Sequence, residues 1–159
     1  MKKFELTDEF VTNVFGKKLF RIKALVAFGN VEKGELGGFI EKEDNLSHGG
    51  NAWVSGNAQV FGDARVSGDA LVSGDARVSG NAQVFGNADY AVVTGFGRYF
   101  RATTFFRCKD KILRIQCGCF YGDLAQFREI VKKTHGDSKY AKEYLAIADL
   151  MELHFSDEC

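Results

Sequence analysis

The sequence contains no proline, no excess of charge of either sign, and only three histidines and one tryptophan. Lys plus Arg and Asp plus Glu both number 21, so the net charge is zero. A protein that binds nucleic acid by general phosphate neutralisation would be basic. A disordered tail would be strongly charged and poor in aromatics, yet 13% of this chain is aromatic, with 15 Phe. No apolar run reaches the roughly 18 residues of a spanning helix. Lys2 and Lys3 lead into Glu5, Asp8 and Glu9, not into the apolar stretch of a signal peptide. These absences leave a soluble, cytoplasmic protein as the expectation. With 159 residues, the chain is one domain, or a small domain with an appendage.

Without proline, the corners fall to glycine. Eighteen glycines are present, and many are periodic. From Gly50 the chain reads GNAWVS, GNAQVF, GDARVS, GDALVS, GDARVS, GNAQVF, GNADYA. Glycine recurs every six residues from 50 to 86, each time followed by Asn or Asp. Alanine recurs from 52 to 88 and valine from 54 to 84, with Tyr90 closing the series. So short a period allows one strand and one corner per hexad. Val and Ala two apart share a strand face. Gln59, Arg65, Arg77 and Gln83 then face outward. The Gly-Asn and Gly-Asp pairs turn the corners, where positive φ is cheap. A solenoid of this kind stacks its coils over a column of Val and Ala.

The pattern resembles the hexapeptide repeat of left-handed parallel β-helices. There an aliphatic residue is followed four places on by a small one, with three hexads per triangular coil. Val54 to Ala58, Val60 to Ala64 and Val66 to Ala70 fit; the Ser or Phe after each valine departs somewhat. The resemblance implies that residues 18 apart stack. Trp53, Leu71 and Asp89 would then share an outer face. Either a flanking segment covers Trp53 and Leu71, or they form an exposed partner-binding patch. Counting back by six puts Gly38 and Asp44 at corners of a looser first coil. Ile40 and Leu46 would take its Ala slots, and Lys42 and His48 its Val slots.

The flanks read as caps. Residues 1–37 carry two β-rich runs around a turn near Gly16. Residues 98–122 alternate on both sides of KDK, predicting a hairpin with a tight turn at Asp110-Lys111. That turn would place Cys108 on one face with Leu113, Ile115, Cys117 and Cys119. Asp123 caps a first helix that ends at His135-Gly136, and Ser138 caps a second running to about His154. The fold expected is mainly β. It is a short left-handed parallel β-helix of about three coils over 38–97, with an N-terminal β-hairpin cap (1–37) and a C-terminal α+β unit (98–159).

The hexads joined to TTFFRCKDKILRIQCGCFYGDLAQFREIVKKTHGDSKYAKEYL (103–145) resemble a family of small uncharacterised phage and prophage proteins of Gram-positive bacteria. That resemblance implies a mobile-element origin and no reaction.

Four chemistries compete. Many β-helices of this type are trimeric acyltransferases using acyl-coenzyme A. His48 is the only candidate base near the coils, and these hexads carry no protruding loop to close a site. A zinc carbonic anhydrase would need three converging histidines, whereas His135 and His154 lie in the helical segment. A structural zinc site would draw on Cys108, Cys117 and Cys119, with His135 or else His154 completing the tetrahedron; the alternative is small buried thiols, with Cys159 terminal and free. The last chemistry is binding. Arg65, Arg77, Arg98, Arg101, Arg107 and Arg114 make either a local basic surface or a plain solvated one. The expectation is a non-enzymatic mobile-element protein that binds a host protein in the bacterial cytoplasm through Trp53, Leu71, Arg65 and Arg77. It would inhibit a defence system such as a CRISPR nuclease. A phage structural component is a further alternative. Neither sequence-specific nucleic-acid binding nor membrane contact is expected, and an oligomer is open.

Overall fold

The computed structural model of the chain describes residues 2–97 and 101–156. Arg98 and Cys159 lie outside them. The hexads form two-residue strands, each paired in parallel with the strand 18 residues on. β4 (Trp53–Val54) pairs with β7 (Leu71–Val72), β5 (Gln59–Val60) with β8 (Arg77–Val78), and β6 (Arg65–Val66) with β9 (Gln83–Val84). These are three separate ladders, so the hexads turn through three faces. Ala and Val from 52 to 84 are almost completely buried, as the period-two reading requires. The corner glycines from Gly50 to Gly80 all have φ between 61° and 69°. At Gly68 a Cβ would also lie 2.3 Å from the Phe85 carbonyl oxygen, so both backbone conformation and space demand glycine there.

The first coil departs from the expected count. β3 (Leu36–Ile40) pairs with β5 at Ile40↔Val60, and Leu46 bridges Val66, both offsets of 20 residues. From Val54↔Val72 onward the offset is 18. The first coil thus has two extra residues in the corner around His48, between Leu46 and Val54. Ile40 and Leu46 therefore enter the Val column, not the Ala column. Gly38 lies inside β3 and not at a corner; together with Gly37 it lets this strand press onto the coil. A Cβ on Gly37 would meet the Val54 carbonyl oxygen at 2.5 Å and the Trp53 ring at 2.7 Å.

The N-terminal hairpin forms as expected. β1 (Phe4–Thr12) and β2 (Lys18–Ala24) pair antiparallel, and β2 continues onto β3, extending one solenoid ladder. The Asn13 side chain accepts from the Phe15 and Lys17 amides to close the turn, where Gly16 has φ 79°. Lys3 Nζ donates to the Ala52 carbonyl at 2.6 Å, and the Asn45 amide donates to the Gly62 and Ala64 carbonyls. Side chains thereby satisfy backbone groups that the first coil leaves open.

At the other end stands a four-stranded antiparallel sheet. Its order is β10 (Tyr90–Val93), β11 (Thr103–Arg107), β12 (Leu113–Cys117), β13 (Phe120–Asp123). The helices α1 (Leu124–His135) and α2 (Lys139–His154) follow. Asp123 accepts from the Gln126 amide and Ser138 from the Ala141 amide, so both expected N-caps form. One sheet face carries Phe105 and Ile115 into a core with Phe127, Tyr144 and Ala148. The other face sends Phe106 and Cys108 into the solenoid core.

That division corrects the expected hairpin register. Arg107 pairs with Leu113, leaving a five-residue loop instead of a tight two-residue turn. Lys111 takes the left-handed conformation (φ 68°), and its amide bonds the Cys108 carbonyl. The one-residue slip puts Cys108 on the face opposite Leu113, Ile115 and Cys117. The same face closes the solenoid's open edge. From it the Thr104 hydroxyl accepts from the Arg77 amide at 2.9 Å, and the turn before β10 adds Asn87 Oδ1, which accepts from the Leu71 amide.

Candidate functional site

The four residues expected to bind a partner do not come together. Strands six residues apart belong to different ladders, so Arg65, Leu71 and Arg77 lie on three different faces. Trp53 is 1% exposed. Phe28 packs its ring edge-on at 5.3 Å, and β3 lies across it. Its outward position on the coil is real, but the chain segment after β2 covers it. Trp53 therefore belongs to the core and not to a partner-binding surface. Leu71, its ladder neighbour, is 44% exposed. Arg65 is exposed, and Arg77 is half-buried beside Gln59.

The expected zinc ligands do not converge either. Among the described residues no group of three or more His, Cys, Asp or Glu side chains is placed to hold a metal ion. The register slip explains part of this, since Cys108 is buried against the solenoid while Cys117 lies on the helix side. Burial pushes the Cys108 thiol above its usual range. Cys117 accepts from the Thr103 hydroxyl at 3.3 Å. Cys119 is exposed in the β12–β13 turn. His135 stacks on Tyr144, with centroids 5.8 Å apart. Burial, reinforced by the Cys117 thiol, raises the Tyr144 hydroxyl.

His48 is held through both ring nitrogens and one ring face. Its Nδ1 accepts from the Lys3 amide at 3.0 Å, so the proton sits on Nε2 and faces Glu43 Oε1 at 2.7 Å. Its ring stacks on Phe4 at 4.2 Å and 12°. The bond to His48 holds the Glu43 carboxyl below its usual range. In this position His48 closes the lengthened corner of the first coil.

Two adjoining clefts meet at Arg101 and Cys119, one between the solenoid and the C-terminal sheet and the other within the C-terminal sheet-and-helix unit. The larger, about 510 Å³, is walled on the solenoid side by Asn57, Gln59, Asp75 and Arg77. Arg101, Gly118 and Cys119 form its opposite wall, with Val14 of the N-terminal hairpin at the edge. The Gln59 Oε1 atom is buried without a hydrogen-bond partner among the described residues. The smaller cleft, about 350 Å³, shares Arg101 and Cys119. Its other walls are Phe120, Phe127, Ile130, Val131 and Tyr144, with Cys117 and His135. Two of the expected cysteines and His135 thus meet at one apolar cavity, in an arrangement without metal geometry. The ladder Gln59–Arg77 was readable from the 18-residue spacing. The meeting of Arg101 with that ladder had no sequence signal.

A family model described as the YdcK beta solenoid repeat matches residues 58–74 and again 70–86. Both matches fall within the hexads, which are of β-solenoid type. Comparison with curated proteins gives no match. Among the described residues no helix is long and apolar enough to cross a membrane.

Proposed function

We propose that this is a non-enzymatic binding protein of a phage or mobile element. Its hexads wind as a left-handed β-helix of about three coils that serves as a rigid scaffold for its surfaces. The target is a host protein, and a bacterial defence nuclease of the CRISPR type is the concrete candidate. That target rests on the resemblance to phage and prophage proteins. The observation that carries the non-enzymatic reading is the state of His48. Both ring nitrogens and one ring face are engaged in closing a corner, so no lone pair is left to activate a nucleophile. The hexads between Gly50 and Tyr90 also run without an insertion, so no loop rises from them to enclose an acyl-coenzyme A arm.

The surface assignment narrows to the Leu71 face. Leu71 is the exposed apolar residue of its ladder, and Tyr90 beside it donates its hydroxyl to the Leu71 carbonyl. The test is guide-directed DNA cleavage by purified CRISPR effector nucleases with a stoichiometric amount of this protein. Loss of cleavage, restored when Leu71→Asp replaces the wild type, is the expected result. Undiminished cleavage by every nuclease tried removes the candidate target. Inhibition that survives Leu71→Asp removes the face.

A further inference from the structure

The turn between β12 and β13 carries two thiols and is held by buried groups. Cys117 pairs with Phe120, so Gly118 and Cys119 form a two-residue hairpin loop. Gly118 has φ 57° and Cys119 stays out of the left-handed region, the pattern of a II′ turn. The buried Gln116 donates from Nε2 to the Gly118 carbonyl at 2.8 Å. Its Oε1 accepts from the Ser79 hydroxyl of the solenoid at 2.9 Å. A buried amide is thus committed to fixing this turn. From β11 the Thr103 hydroxyl donates to Cys117 Sγ and holds that thiol in place. Residues two apart across such a turn have Cα atoms within the roughly 4.4–6.8 Å span of a disulfide. Both cysteines are free thiols, and both line the smaller cleft. Cys119 is exposed where that cleft meets the larger one, while Cys117 is half-buried. Cys108 is buried on the opposite sheet face and is a partner for neither.

We propose that Cys117 and Cys119 form a dithiol site that exchanges with low-molecular-weight disulfides, such as glutathione disulfide, and closes reversibly to an internal disulfide. The exposed Cys119, as thiolate, attacks one sulfur of the small disulfide. The S–S bond of that molecule breaks, a mixed disulfide forms on Cys119, and one thiol leaves carrying a proton. Cys117, as thiolate, then attacks the Cys119 sulfur, forming the Cys117–Cys119 bond and releasing the second thiol. Two electrons pass from the protein to the small disulfide, and the two protons lost by the cysteines end on the two released thiols. The clefts of about 510 and 350 Å³ both open onto Cys119, so a small disulfide can reach its sulfur. The site lies apart from the Leu71 face and does not depend on the target proposed for it.

The test is intact-mass analysis of the full chain carrying Cys159→Ser, which removes the terminal thiol. Reduced protein is incubated with about 1 mM glutathione disulfide at about pH 8 and quenched with acid. A loss of about 2 Da is expected, reversed by dithiothreitol. Trypsin should place that loss in the peptide 115–128, which holds Cys117 and Cys119 and no other cysteine. Adding Cys117→Ser should instead trap the mixed disulfide, a gain of about 305 Da on Cys119. Adding Cys119→Ser should slow the reaction at least about tenfold, because the exposed thiol is gone. Circular dichroism checks that both variants fold, and the measurement on the parent needs no change in the turn. A stable gain of about 305 Da on the parent without ring closure would overturn the proposal, since Cys119 would then be only an exposed thiol. An unchanged mass after overnight incubation would also overturn it, as would a disulfide that includes Cys108. Failure here leaves the nuclease assay with Leu71→Asp untouched, so the two readings fall separately.

Discussion

The solenoid and the C-terminal sheet-and-helix unit are built on opposite plans. The solenoid core is made of Ala and Val in columns, each residue stacked on its equivalent in the next coil. The C-terminal core is aromatic and irregular. Phe105, Phe120 and Tyr144 gather around Phe127 with centroids 5.8–5.9 Å apart. In the first region the register is stated again by every hexad. In the second it depends on one five-residue loop. The comparison teaches where redundancy resides. The solenoid takes its register from many equivalent rungs, and the sheet takes its own from a single turn plus what it packs against. The two regions are nonetheless fused, because Phe106 of β11 lies in the solenoid core while its neighbour Phe105 lies in the helical one.

The strongest way to break this comparison is to cut into each core. Trp53→Ala and Phe106→Ala should each cost about 3–5 kcal/mol, read by urea denaturation. Phe106→Ala should also lower amide-exchange protection in β8 and β9. Phe127→Ala should lower it only in the sheet and helices. Equal loss throughout for both Phe variants would mean that the two plans do not unfold separately. A smaller effect separates two equivalent corners. Gly68→Ala meets both the left-handed backbone and the Phe85 carbonyl, whereas Gly74→Ala meets only the backbone, with open space around it. Gly74→Ala should cost about 1–2 kcal/mol and Gly68→Ala clearly more; equal midpoints would show that the coils can shift to admit a side chain. Smaller again, Asp123→Ala should cost about 1 kcal/mol through the lost α1 cap. That loss should appear in the helical signal and leave solenoid exchange unchanged.

The smallest effect concerns pH. Burial pushes the Lys3 ammonium from 10.5 down to about 8. Between those values the unfolded chain holds a proton that the folded chain has released. Stability contributed by this group therefore rises as pH increases through that window. The bond to the Ala52 carbonyl and the Phe28 ring 4.6 Å away favour the charged form and keep the slope shallow. Lys3→Met should remove the extra slope, seen as the difference between variant and wild-type denaturation midpoints at pH 7.5 and pH 9.5. Parallel curves would show that Lys3 stays charged when folded.

Much of this architecture was legible because it rests on local chemistry. The Gly-Asn/Asp corners, the Val and Ala columns, the Asn13–Gly16 turn and the caps at Asp123 and Ser138 each follow from nearby residues. The 103–117 register was not legible, because its left-handed turn position is filled by Lys111, a residue that advertises no such conformation. The two extra residues near His48 were hidden because counting by six assumes the period it sets out to find. The candidate site was legible only in part. Gln59 and Arg77 stack at the repeat spacing, but Arg101, Cys119 and Ile130 reach the same clefts from the segment before β11, the β12–β13 turn and α1.

By itself, then, the sequence determined the solenoid, its period and the identity of its buried columns, because a repeated hexad can satisfy its backbone only by pairing with its own copies. It also determined both helices through their caps and apolar stripes. Tertiary structure alone decided that Trp53 is covered while Leu71 is open. It also decided that Cys108 turns toward the solenoid, and that Arg77 and Arg101 face one cleft. Those outcomes depend on which long-range surface arrives to cover each face, and a strand's own residues carry no record of what packs against it.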